Sequence, residues 1–450
     1  MKARGAITLA AGGVLAVLAV VAGYQSPETG FYMAVSVLPL LVILALLFMR
    51  VNMLIAGLAG GIMAMIMGGI GIGQANGVMI GQIQNLFGIA VVPIVNSAIA
   101  MAVFKSGGYS AALALVRRRI GGNQAVMGAF IVFLQAAATY MSGIGGGSAM
   151  VIAPLAFAAV GAIPAVIVGM SIAAAICFTT SRASLETATV LKLTAIPVDE
   201  YANMMLPYTI FLVLLGMAVA AHGAWKNGGL FTGEESEDIK GMSSSQLSRA
   251  TIPALFLLLA VVFSPVINSL LKGVGLPPLV IPLTYSAVTI FLVGVFTKFT
   301  FSQACDALID GSSYILTRLF QVGLFLMFIA LIERIGAFTT IAAIARNAPP
   351  SLVVPAAILA GFLIGVPAGG YVATILGLIL PVAVALGFPP LAVGFVTMAV
   401  GLGSQVCPVN ITMQALSFGF QIPIMQVVRG NAPVIIGYVI LLMAMSMVFI

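Results

Sequence analysis

Apolar runs of about 18 residues or more recur along almost the whole chain, the length an α-helix needs to cross the hydrocarbon core of a bilayer. In that solvent every backbone N–H and C=O must be satisfied inside the protein, which restricts spanning structures to helices and closed barrels. These runs are continuous rather than alternating, so they read as helices. Candidate crossings fall near 5–23, 31–49, 52–72, 87–105, 164–193, 204–221, 251–270, 277–297, 313–332, 390–421 and 432–450. Only 6% of residues are charged, against about a quarter in soluble domains, which excludes a soluble fold. The expectation is an all-α polytopic membrane protein with about 11 transmembrane helices. The first apolar segment, within an N-terminal helix over 1–30, reads as retained rather than cleaved.

Two apolar stretches, 122–162 and 350–387, are too long for one crossing. Each is interrupted by glycine-rich residues, "YMSGIGGGSA" at 140–149 and "GVPAGGYVAT" at 365–374. Either two crossings meet at a tight turn, or a re-entrant hairpin ends in mid-membrane. Irregular backbone at that depth is tolerated only where protein buries it or a wet cavity faces it.

Basic residues fix the orientation. With the N-terminus cytoplasmic, Lys2, Arg4, Arg50, Lys105, Arg117, Arg118, Arg119, Lys226, Lys240, Arg249, Lys298 and Arg429 fall inside. Only Lys192, Lys272, Arg334 and Arg346 fall outside, a strong positive-inside bias. The net charge of +7 is therefore a topology signal and does not point to nucleic acid. The C-terminus then lies on the periplasmic or extracellular side of an inner membrane.

The halves repeat. "GGYSAALALVRRR" (107–119) parallels "GAFTTIAAIARN" (336–347), "VGAIPAVIVGM" (160–170) parallels "LGFPPLAVGFV" (386–396), and "IPVDEYANMMLP" (196–207) parallels "IPIMQVVRGNAP" (422–433). The last two pairs share an offset of 226 residues with aligned prolines. An odd number of crossings per repeat inverts the second half. Inverted repeats with interrupted helices at their interface are a common plan of secondary transporters, with the site near the midplane. The first repeat covers 31–221: scaffold 31–105, arm 109–119, hairpin 122–162 and broken helix 164–193. A cytoplasmic linker covers 222–250. The second repeat covers 251–450: scaffold 251–332, arm 338–347, hairpin 350–387 and broken helix 390–421.

Four polar interruptions then converge. Ser142, Gly143, Gly145, Gly146, Gly147 and Ser148 come from the first tip, and Pro367, Gly369, Gly370 and Thr374 from the second. Thr179, Thr180, Ser181 and Arg182 come from the first broken helix, Asn410 and Thr412 from the second. Glycines let backbone amides approach a ligand, and half-helix N-termini present free N–H groups and a positive dipole end to an anion. Freed carbonyls and hydroxyls can hold a small cation such as Na⁺, for which Ser142, Ser181, Ser184, Ser404 and Asn410 are candidates. Glu186 is the carboxylate at the breaks, and would carry coupling if the ion were H⁺.

Arg182 and Glu186 admit three readings. They form a self-neutralising i,i+4 pair, or they snorkel toward the interface, or Arg182 forks onto a substrate carboxylate. Asn96, Gln135, Arg318 and Gln321 read as interhelical hydrogen-bonding residues. "GIGGGS" lacks the lysine and preceding strand of a phosphate loop. Cys177, Cys305 and Cys407 make no metal or disulfide pattern and need no cofactor.

The layout resembles the ion transporter superfamily, and within it the anaerobic C4-dicarboxylate carriers of the Dcu-C type. "AAAIC" (173–177), "LP" (206–207), "CPVN" (407–410) and "VVRGNAPVIIGYVI" (427–440) carry the resemblance. It implies an ion-coupled homodimeric carrier for a small organic anion, symporter or exchanger, in which a transport domain moves against a fixed scaffold. Gluconate-like and tricarboxylate carriers remain open, as does the membrane subunit of a binding-protein-dependent transporter. A channel would call for a ring of like charges. An intramembrane protease would need a nucleophile with a base or paired aspartates, and no His or Asp lies in a predicted span, so an enzyme is not expected.

Overall fold

The computed structural model describes residues 17–25, 29–49, 51–120, 123–227, 241–347, 349–366, 372–408 and 410–450. Among these residues the regular structure is helical throughout. After α1 (residues 17–23) come α2 (Gly30–Ser36), α3 (Leu38–Phe48), α4 (Met53–Gly68), α5 (Ile72–Lys105), α6 (Gly108–Ile120), α7 (Gln124–Ser142), α8 (Gly145–Val160), α9 (Pro164–Thr180), α10 (Leu185–Thr194) and α11 (Val198–Asn227). The second half has α12 (Ser244–Gly273), α13 (Pro282–Phe296), α14 (Phe301–Arg334), α15 (Ala337–Ala345), α16 (Pro350–Gly365), α17 (Val372–Ala385), α18 (Pro390–Ser404), α19 (Ile411–Gly419) and α20 (Ile424–Phe449).

Among the described residues, five helical segments are long and apolar enough to cross a bilayer alone: Gly30–Leu47, Gln124–Ser142, Val198–Lys226, Ser244–Ser264 and Ile424–Phe449. Three bent helix pairs are long and apolar enough only when taken together, including α9 with α10 at 41° and the end of α14 with α15 at 63°. The expected linker at 222–250 is shorter at both ends, because α11 runs on to Asn227 and α12 begins at Ser244 behind a Ser243–Gln246 capping box.

The helix starts carry the repeat. α7, α9, α10 and α11 begin at 124, 164, 185 and 198, and α16, α18, α19 and α20 each begin 226 residues later, at 350, 390, 411 and 424. α4, α5 and α6 precede α13, α14 and α15 by 229 residues (53 to 282, 72 to 301, 108 to 337). The equivalent helices α5 and α14 pack against each other, and Lys105 at the end of α5 pairs with Asp310 near the start of α14. They therefore run antiparallel, so the second half is inverted relative to the first.

Reciprocal packing follows. α4 lies on α14 as α13 lies on α5, and α8 lies on α19 as α17 lies on α10. Small residues allow this closeness. A Cβ on Gly61 of α4 would sit 2.8 Å from the Phe328 ring of α14.

Candidate functional site

Both broken helices stop and restart by the same device. Ser181 leaves α9 in extended conformation, and α10 restarts at Ser184, whose Oγ accepts from the Thr187 amide at 3.1 Å. In the second repeat α19 restarts at Asn410, whose Oδ1 accepts from the amides of Thr412 at 2.7 Å and Met413 at 3.3 Å. Ser184 and Asn410 are 226 positions apart, so equivalent positions cap equivalent half helices.

The first break is closed by its own hydroxyls and its neighbours. Ser181 donates to the Tyr140 carbonyl on α7 and accepts from the Ala183 amide at 3.0 Å. Thr179 and Thr180 donate to the carbonyls of Ala175 and Ile176, each at 2.8 Å. Tyr201 of α11 donates to the Thr179 carbonyl at 3.0 Å, which satisfies one of the orphan groups at the end of α9. The second break holds a buried chain in which Ser171 donates to Gln405 at 3.3 Å, and Gln405 and Asn410 both donate to Ser404 Oγ, at 3.0 and 3.2 Å. Ser404 in turn donates to the Gly401 carbonyl at 2.7 Å, so both its lone pairs and its proton are engaged.

The first hairpin tip is wedged between the two breaks. Gly143 has φ +70°, and a Cβ there would lie 2.2 Å from the Ala183 carbonyl oxygen and 2.6 Å from Ser184 Cα. Only glycine fits that turn and that approach. A Cβ on Gly146 would lie 2.6 Å from Ile411 Cγ2 and 3.3 Å from the Thr412 amide nitrogen. One on Gly145 would lie 3.4 Å from Thr412 Oγ1. Three helix N-termini therefore meet at this tip: α8 starting at Gly145, α10 behind Ser184, and α19 behind Asn410. Each carries the positive end of a helix dipole.

Within the tip, Ser142 donates to the Ala138 carbonyl at 2.8 Å and lies 3.3 Å from Ser148 Oγ, which donates to the Ile144 carbonyl at 2.9 Å. Gln135 donates to the Gly145 carbonyl at 3.3 Å and bears the tip from below. A cavity of about 40 Å³ separates Ser142 and Ser148 from Met101 and Phe104 of α5 and Tyr109 of α6.

The second tip is present in part. Pro367, Gly369 and Gly370 lie outside the described residues. Thr374, the equivalent of Ser148 at offset 226, is buried in the first turn of α17 with its hydroxyl unpartnered. Ala373 beside it packs on Leu185 of α10. In the first half it is Gly146, the counterpart of Val372, that meets Ile411 of α19.

Arg182 sits in the break and Glu186 in the first turn of α10, so the chain between them is not one helix and the i,i+4 face does not exist. Arg182 donates instead to Asp199 at 2.9 Å, to Asn203, and to the carbonyls of Val261 and Val262 at 3.0 and 3.1 Å. Its partners Asp199 and Asn203, and the tip support from Gln135, are the contacts that sequence reasoning did not supply. Asp199 and Asn203 share a face of α11 at i,i+4, and that spacing was the available signal. Glu186 is half-buried beside the positive end of α10, where a carboxylate is favoured.

Among the described residues no group of three His, Cys, Asp or Glu could hold a metal ion. No family model matches the sequence, and no curated protein matches it. Among solved structures, the Alcanivorax borkumensis YdaH transporter superposes with a TM-score of 0.55, covering 84% of this chain and 89% of that one at 14% identity. The class of protein this defines is an all-α, multi-pass membrane protein with the fold of a transporter.

Proposed function

We propose that the protein is a secondary active carrier for a small organic anion, a dicarboxylate of the C4 class, coupled to Na⁺ or H⁺. One observation carries the reading: the positive ends of α8, α10 and α19 converge on a single glycine tip. Backbone N–H groups at helix N-termini form anion sites without a fixed cationic side chain. Ser142, Ser148, Thr412 and Thr374 supply hydroxyls for orientation, with Ser181 and Thr179 behind them. Gly143 and Gly146 keep the backbone close. Asn410 and Ser184 set the half helices, and Gly369 and Gly370 complete the second wall.

In this reading the hairpins and broken helices of both halves form a transport domain. The long pair α5 and α14, with α4, α12 and α13, forms the scaffold. The arms α6 and α15 join them, and the transport domain moves as an elevator. The working unit is a homodimer in the inner membrane with its N-terminus cytoplasmic. Na⁺ is favoured over H⁺ because hydroxyl and carbonyl oxygens crowd both breaks, whereas Glu186 is the carboxylate there.

The test is uptake by purified protein in liposomes, with radiolabelled succinate and competition by mono-, di- and tricarboxylates. Accumulation driven by an imposed sodium gradient at fixed pH is expected. Uptake driven by pH and indifferent to sodium moves the coupling role to Glu186. Competition by gluconate or citrate but not by succinate changes the anion class. Accumulation that appears only when a soluble binding protein is added makes the chain a subunit of a larger transporter. Absence of organic-anion uptake under all these conditions removes the reading.

A further inference from the structure

The α9–α10 break is tethered to α12 and α5, outside the body that contains it, and to α11, which packs along α9. The Arg182 side chain is 7% exposed, and its Nη1 donates to two carbonyls of α12, those of Val261 and Val262. Its Nε and Nη2 engage Asp199 and Asn203 of α11. The ion pair is the lesser part, because the Asp199 side chain is 72% exposed and water screens it. The buried bonds from a charged donor to backbone are the stronger part.

The Val261 carbonyl is a particular acceptor. In an α-helix it would receive the amide of residue 265, and residue 265 is proline, which has no amide hydrogen. Ser264 Oγ reaches it only at 3.4 Å. Arg182 thus supplies the shorter bond, at 3.0 Å, to an acceptor that α12 meets from within only by that long one. At the far end of α10, Lys192 makes a second tether, donating to the Gln82 carbonyl of α5 at 2.6 Å. A cavity of about 670 Å³ opens beside Arg182, Asp199, Val261, Lys272 and Tyr285, so the break has room to leave its dock.

We propose that Arg182 is a positioning residue, a clamp that docks the α9–α10 break on α12 through the carbonyl freed by Pro265, and that the clamp opens when the broken helix moves past α12. The proposal rests on the reading of the broken helices as moving parts. It assigns Arg182 to holding one conformation rather than to holding the anion. Lysine cannot replace it fully, because a point charge cannot serve α11 and two α12 carbonyls together.

The test is a distance measurement by pulsed electron paramagnetic resonance on the full chain in lipid nanodiscs, with no transported ligand added. Spin labels go on Glu200→Cys in α11 and Leu259→Cys in α12. Both positions are exposed, and residue 259 precedes Pro265, so straightening of α12 beyond the proline leaves the label in place. Cys305 is exposed and is replaced by serine, whereas Cys177 and Cys407 are buried. With Arg182 present one distance dominates.

Arg182→Gln and Pro265→Ala are each expected to raise a second distance several-fold. The alanine restores an amide that competes for the Val261 carbonyl and leaves Arg182 untouched. Asp199→Asn is expected to keep the first distance dominant, and Arg182→Lys to fall between. Unchanged distributions in both Arg182→Gln and Pro265→Ala would overturn the clamp. If Arg182→Gln does not fold, Pro265→Ala decides alone. Because no substrate enters the measurement, its outcome is separate from that of the uptake assay.

Discussion

The Tyr438 hydroxyl of α20 donates to the Leu212 carbonyl of α11 at 3.1 Å, and the two positions are 226 residues apart. That is the offset relating the halves, so each residue touches its own counterpart. Equivalent positions can meet only at the axis that exchanges the two repeats. A second such meeting occurs where α9 crosses α18. A Cβ on Gly401 would lie 3.1 Å from the carbonyl oxygen of Ala175, its equivalent at the same offset. The axis therefore runs through the crossing of the two broken helices.

Gly401 sets how closely those helices cross. A Cβ there would sit 2.5 Å from Thr179 Cγ2, so Gly401→Ala is expected to destabilise by about 1–3 kcal/mol through overpacking. Thr179→Ser removes the methyl and keeps the hydroxyl that bonds Ala175. The double mutant should therefore recover part of the loss, which thermal melting of the four proteins in a double-mutant cycle measures.

Two glycines with positive φ separate backbone strain from close approach. Gly107 has φ +82° and a Cβ added there would meet nothing within 4 Å, whereas Gly143 has φ +70° and backbone at 2.2 Å. Gly107→Ala should cost about 1–3 kcal/mol from strain alone. Gly143→Ala should cost more and also abolish uptake, because the tip must leave the first break. Melting temperature and uptake measured side by side check the pair.

The two caps are equivalent by position but not by load. Ser184 caps one amide and donates its hydroxyl within the break, to the Ser181 carbonyl, whereas Asn410 caps two amides and donates to Ser404. Loss of an N-cap costs about 0.5–2 kcal/mol. Asn410→Ala should fall at or beyond the upper end of that range and Ser184→Ala within it. Asn410→Asp keeps the cap and loses the donor, so it should fall between. Thermal unfolding monitored by size-exclusion chromatography ranks them.

Much of this architecture is legible in the sequence, and the reason is the solvent. A bilayer forces long apolar helices, so glycine and hydroxyl interruptions stand out, and the 226-residue offset survives in the prolines that open α9 and α18. Helices α6 and α15 cover Gly108–Ile120 and Ala337–Ala345, and α9 and α18 stop at Thr180 and Ser404, at the polar interruptions of the two apolar runs. What the sequence hid is long-range or depends on where a helix stops. Arg182 and Glu186 look like one helical face until the chain breaks at Ser181. The carbonyl that receives Arg182 lies 79 residues away, four positions before Pro265, which has no amide hydrogen to offer it. The capping role of Ser184 was similarly masked, since a serine inside an apolar run reads equally well as an ion ligand.

If the tips are moving gates, Ser142 and Thr374 become accessible in alternation, which two-sided cysteine labelling reads out. Ser142 and Thr374 are both buried, 6% and 0% exposed, and belong to opposite repeats. Each is replaced singly by cysteine in a Cys305→Ser background, and membrane vesicles are treated with a membrane-impermeant maleimide from one face or the other. The expected result is that the cysteine at 142 and the cysteine at 374 label from opposite faces, and that conditions which raise one lower the other. Labelling of both from the same face, or of either at the rate of a freely exposed thiol under every condition, would rule out alternating exposure of the tips.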